Sequence, residues 1–205
     1  MVGSSGKNWR RRQDKDEFVK RARAEGWRSR AVYKLMEIQE RERLMRSGSR
    51  VLDLGAAPGA WSQFASGVVG DAGRVIAVDL LPVEQIPGVE VIQGDFRDED
   101  ILNAVLQCLG KDRLDLVMSD MAPNISGNRS VDQPRAMYLA ELAADLARNS
   151  LGPGGSLVLK LFHGEGFDDF VRAMRQCFET VKVRKPKASR ANSRETYLVA
   201  RNIRL

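Results

Sequence analysis

The chain has 205 residues, 43% hydrophobic and 29% charged, which is room for one ordinary domain and a balance that sets aside disordered and fibrous classes. No apolar run approaches the roughly 18 residues of a membrane span, and the polar opening Met1–Gly6 lacks a signal-peptide core, so a cytoplasmic address without a membrane partner is expected. The net charge of +6 is local: residues 1–50 hold 15 Lys/Arg against 7 Asp/Glu, and the remainder is slightly acidic, which points to a polyanionic partner met by the N-terminal region.

In chain order, residues 1–12, ending Lys7-Asn8-Trp9-Arg10-Arg11-Arg12, read as a flexible basic arm ahead of a single domain over 13–205. Apolar spacing predicts helices at about 14–25 and 29–46, the second capped by Ser29. Short β-rich runs then alternate with helical ones. The predicted strands are Arg50–Leu54, Arg74–Val78, Val89–Gln93, Leu114–Ser119, Ser156–Leu161, Thr180–Arg184 and Thr196–Arg201, with helices at about 59–68, 98–109, 132–150 and 166–177. Such alternation predicts an α/β fold, a mainly parallel sheet with helices on both faces. Gly152-Pro153-Gly154-Gly155 marks a turn before the fifth strand. The last two strands are joined by residues 185–195, too few for a crossover helix, so they pair antiparallel. Cys108 and Cys177 lack metal-ligand spacing and read as reduced core thiols, and no metal site is expected.

Val51-Leu52-Asp53-Leu54 leads into Gly55-Ala56-Ala57-Pro58-Gly59-Ala60-Trp61, a strand, a small-residue turn and a helix start. In an open α/β sheet this is where a nucleotide-like ligand approaches the backbone. Ala57 stands where a dinucleotide fingerprint needs its second glycine, which disfavours NAD. Asp79 ends the second predicted strand, placed to accept both hydroxyls of an adenosine ribose, and Asp95 ends the third, placed to accept an adenine amino group. The combined pattern resembles the S-adenosylmethionine methyltransferases, whose sheet is Rossmann-like with seven strands and an antiparallel last strand.

Asp120 closes the fourth predicted strand in Ser119-Asp120-Met121-Ala122-Pro123-Asn124, Lys160 closes the fifth, Glu195 opens the last, and Lys34 sits in the second helix. The segments Ser29–Leu35, Asp53–Gln63, Ser119–Gly127, Lys160–Phe167 and Lys185–Tyr197 together resemble the FtsJ (RrmJ) family of bacterial large-subunit ribosomal RNA methyltransferases. The resemblance runs from about residue 7 to the C-terminus. It implies S-adenosylmethionine as cofactor, a catalytic tetrad of Lys34, Asp120, Lys160 and Glu195, and cofactor contacts from Gly59, Trp61, Asp79, Asp95 and Asp120. Ala60 and His163 depart from the family pattern, where glycine and glutamine are common.

The implied reaction is transfer of a methyl group to the ribose 2′-hydroxyl of a uridine in 23S ribosomal RNA, in the A-loop of the peptidyl-transferase centre of the large subunit, by a monomer. A tRNA 2′-O-methyltransferase and a ribosome-assembly factor whose binding role is primary are the alternatives. Lys160 would orient and deprotonate the hydroxyl, or only orient it while the proton leaves late to water. A free lysine is neutral in only about one molecule in 2,500 at pH 7, so a base role needs help from the neighbouring charges. The run Lys182–Arg194 carries six cations and no acid. It is expected to track phosphates with Arg28, Arg30, Lys7 and Arg10–Arg12, the N-terminal helices of residues 13–46 contributing. Trp27 is expected to pack, and His163 to make a loop contact near the cleft.

Overall fold

Strands sandwiched between two helical layers must be apolar on both faces, and Val51-Leu52-Asp53-Leu54 is such a run. A computed structural model describes residues 16–190 and 192–204; the basic arm expected over residues 1–12 lies outside them. The described chain runs α1 (Glu17–Ala24), α2 (Val32–Glu42), β1 (Arg50–Leu54), α3 (Ala60–Val69), β2 (Arg74–Asp79), β3 (Val89–Gln93), α4 (Glu99–Leu109), β4 (Leu114–Ser119), α5 (Arg129–Ser150), β5 (Leu151–Phe162), α6 (Phe167–Cys177), β6 (Phe178–Arg184) and β7 (Glu195–Ile203). The sheet order is β3-β2-β1-β4-β5-β7-β6, with β7 antiparallel to both β5 and β6 and the other pairings parallel. This is the α/β arrangement expected.

The two-residue period of the strands divides the core. Leu52, Leu54, Ile76 and Val78 face one way, onto α4, α5 and α6. Val51, Val75 and Ala77 face the other way, onto Leu35 and Ile38 of α2 and Trp61 and Ala65 of α3. Helix α1 attaches separately, through Ala22 and Phe18 against Tyr33 and Ala188. Trp27 packs as expected, edge-on to Phe64 with ring centroids 6.3 Å apart. Cys108 and Cys177 are free thiols, half-buried against the core instead of within it.

Several boundaries differ from expectation, three of them for identifiable reasons. Helix α2 stops at Glu42 because Arg43 turns left-handed (φ 49°), and Gln39 reaches back to bond the amide and carbonyl of Met45, ending the helix from its own side. Its N-cap is Ala31; the Ser29 hydroxyl accepts from the Ala31 amide in a turn instead of capping. The turn Gly152–Gly155 lies inside β5: Leu114 pairs Leu151 but Leu116 pairs Ser156, so the glycines bulge out between two paired stretches.

Candidate active site

The strand order reverses between β1 and β4, and the crevice beyond their carboxyl ends is where open α/β sheets bind ligands. The chain there turns sharply at Gly55 and Gly59, both left-handed (φ 73° and 103°). A side chain on Gly55 would enter Met121, and one on Gly59 would meet Ile86, Val83 and the Arg28 guanidinium. Both glycines are thus required by the protein's own packing, and the Gly59 amide is itself spent on the Ala56 carbonyl, 2.5 Å away.

A cavity of about 510 Å³ opens over this turn, lined by Gly55, Asp79, Leu80, Asp95, Asp120 and Met121 among others. Asp79 is fixed by two amides, Oδ2 accepting from Ala57 and Oδ1 from Leu81, each at 2.8 Å. A carboxylate offers about four acceptor positions, so Asp79 keeps one on each oxygen, which suits a pair of vicinal hydroxyls. Leu80 and Leu81 stand exposed beside it, an apolar wall for a base. Asp95 differs: its partner is the Arg97 guanidinium.

A small cavity of about 50 Å³ continues from the same turn past Asp53, Trp61 and Asp120. Asp53 is buried and accepts from the Ser62 hydroxyl at 2.6 Å. Burial above all, then the charges of Asp120 and Asp79, push its carboxyl up to about 7 against the Ser62 hydrogen bond. Trp61 is buried, its indole N–H donating to the Ala31 carbonyl at 2.8 Å. Acidic groups at one end and an apolar wall with a hydroxyl acceptor at the other fit S-adenosylmethionine, a nucleoside with a cationic arm.

The four tetrad residues meet at this point. Strand β7 runs against its neighbours, so its first residue, Glu195, lies at the carboxyl ends of the parallel strands. Lys160 pairs directly opposite Tyr197, and side chains so paired share a face. Lys160 Nζ lies 2.8 Å from Asp120 Oδ1 and donates to the Asp120 carbonyl at 2.6 Å. Lys34 Nζ lies 2.8 Å from Glu195 Oε1 and 3.8 Å from Asp120 Oδ1.

Tyr197, which the sequence reading omits, joins the two pairs. Its hydroxyl donates to Asp120 Oδ1 at 2.5 Å, lies 3.3 Å from Glu195 Oε1 and accepts from Lys34 Nζ at 3.0 Å. Burial, then Asp120 and Glu195, raise its pKa well above the ordinary value, so it stays a donor. Ser189, also unanticipated, donates to Glu195 Oε1 at 2.8 Å. Burial would raise the Asp120 carboxyl, but Lys160 and Lys34 with the hydrogen bonds from Lys160 and Tyr197 hold it below the usual range.

On the far side of Lys34 and Glu195 a third cavity of about 260 Å³ is lined by Ser29, Arg30, Ala31, Arg190 and Ser193. Ser29 and Ala31 also line the small cavity beyond Asp53, so one short segment separates the two. Several cations expected on the rim are internal ties instead. Arg28 donates to the carbonyls of Pro58, Glu84 and Gln85, and Lys182 and Arg184 both pair with buried Glu42. Arg30 pairs with Asp16 and donates to the Ala188 carbonyl. His163 is exposed, stacked 4.2 Å from Phe167, its carbonyl accepting from Arg194.

Comparison with known proteins agrees with this geometry. Residues 27–203 match the FtsJ-like methyltransferase family. A candidate ribosomal RNA methyltransferase from Plasmodium falciparum superposes with a TM-score of 0.77 at 25% identity, over 86% of this chain and 98% of that one. A candidate rRNA methylase from Clostridium thermocellum (TM-score 0.55, 18% identity, 82% and 97% coverage) shares the fold. So does a candidate methyltransferase from Streptococcus mutans solved with S-adenosylhomocysteine (0.53, 14%, 85% and 96%). The chain belongs to the FtsJ-like methyltransferase family and is an S-adenosylmethionine-dependent methyltransferase.

Proposed function

We propose that the chain methylates the 2′-hydroxyl of a uridine ribose in the A-loop of 23S ribosomal RNA, in the large subunit, acting as a monomer. The observation that carries this reading is the joining of two lysines and two carboxylates through Tyr197 where the cofactor-side and Arg30-lined cavities meet. The Plasmodium and Clostridium proteins bear rRNA methyltransferase descriptions, which supports an RNA substrate.

Asp79 would hold the cofactor's ribose, Asp95 its adenine, and Gly59, Trp61 and Asp120 the segment around its amino acid arm. The cofactor supplies a methyl group made electrophilic by its attachment to a sulfonium. Acting as a neutral amine, Lys160 would donate its two N–H groups to Asp120 and turn its lone pair to an incoming hydroxyl. The hydroxyl proton would pass to the Lys160 lone pair as the 2′-oxygen takes the methyl group. Asp120 stabilises the resulting ammonium, and Lys34 and Glu195 position the ribose. Arg190 and Arg30 line the cavity on the RNA side.

Large ribosomal subunits and tRNA from cells lacking the enzyme, incubated with it and methyl-labelled cofactor, test the substrate. Label is expected in large-subunit RNA; label confined to tRNA or to protein contradicts the reading. Substituting Lys160→Ala should remove incorporation by roughly 10²- to 10⁴-fold, the usual worth of a proton-transfer group.

A further inference from the structure

We infer that Arg97 sets cofactor affinity by competing with the adenine amino group for Asp95, an inference that rests on Asp95 being the adenine acceptor. Asp79 and Asp95 end neighbouring strands over the same cavity, yet their acceptor positions are spent differently. Asp79 gives one position on each oxygen to a backbone amide and retains the others. Asp95 Oδ1 accepts from the Arg97 amide at 3.0 Å and from Arg97 Nε at 2.9 Å. Its Oδ2 accepts from Nε at 2.9 Å and from the terminal nitrogen. Three N–H donors of Arg97 thus reach Asp95, the single Nε hydrogen shared between its two oxygens, so of about four acceptor positions on a carboxylate about one is left, and a guanidinium that chelates both oxygens competes with an amino group for the same charge.

The surroundings make that exchange cheap. The Arg97 side chain is 50% exposed while that of Asp95 is 16% exposed, so a displaced guanidinium regains water. It also keeps a second partner, because it already interacts with the Tyr138 hydroxyl on α5. Tyr138 is itself exposed. Arg97 is thus a positioning residue that acts through Asp95.

Calorimetric titration of S-adenosylhomocysteine into the wild type, Arg97→Ala, Asp95→Ala and the double variant tests the competition. Arg97→Ala is expected to bind roughly two- to fivefold more tightly, the worth of a half-exposed ion pair. Asp95→Ala should bind more weakly, and adding Arg97→Ala to it should bring no gain. Arg97→Gln, which cannot chelate the carboxylate, should behave like Arg97→Ala. Unchanged or weaker binding in both Arg97 variants, with Asp95→Ala weakened, overturns the competition and leaves Asp95 as the acceptor. Unaltered binding in Asp95→Ala overturns the acceptor assignment itself, and the competition with it.

Discussion

Tyr197 illustrates how a residue can organise a site without announcing itself. An aromatic in the middle of an apolar strand reads as core, and its ring is core, 5.7 Å from that of Trp61. Only its hydroxyl belongs to the site, and that follows from register: Tyr197 lies opposite Lys160 and two residues along the same strand from Glu195. Asp120, Lys160 and Glu195 were legible from their places at strand ends, and the grouping of all four with Lys34 from the family resemblance. Their joining through a fifth group was not, because it depends on cross-strand pairing. Removing the hydroxyl in Tyr197→Phe leaves Lys34 its Glu195 partner and Lys160 its Asp120 partner. Single-turnover methyl transfer should therefore slow by roughly tenfold, about 1.4 kcal/mol of barrier, far less than on loss of Lys160. An unchanged rate would show that the hydroxyl does not organise the lysines.

At the scale of elements, Glu42 ties the N-terminal layer to the sheet edge. It is 2% exposed at the end of α2 and pairs with Lys182 and Arg184 of β6, fixing the helix that carries Lys34. Breaking a fully buried pair costs about 3–5 kcal/mol, but these cations are 43% and 34% exposed, so Glu42→Gln should cost about 2 kcal/mol in urea denaturation. Burial works against the Glu42 charge, yet its two partners hold its pKa below the ordinary value. The stabilisation is therefore present above the unfolded carboxyl's pKa and lost as pH falls through the lower folded one, and wild type and variant should converge in acid. Strands β1, β3 and β4 begin and end where the apolar runs predict, since their period and flanking turns are local signals. The end of α2, capped by Gln39, and the bulge of Gly152–Gly155, set by pairing with β4, depend on tertiary contacts. The basic run 182–194 was visible as charge, but its division into internal ties and rim was not, because a sequence shows cations and not the acid that claims them.

For the whole molecule, the antiparallel reversal of β7 is what makes the chemistry local. It returns Glu195 and Tyr197 to the ligand end of a parallel sheet, beside Asp120 of the β4 end and Lys34 of the packed helix. The cavity past Asp53 and the one lined by Arg30 and Arg190 then share the wall of Ser29 and Ala31. On the proposed reading, this arrangement would bring a ribose hydroxyl to the lysine–carboxylate group. Nucleoside analysis of large-subunit RNA labelled by the enzyme tests that most directly. The account predicts the methyl group on the 2′-oxygen of a uridine, and a methyl group on a base with the 2′-oxygen untouched would contradict it.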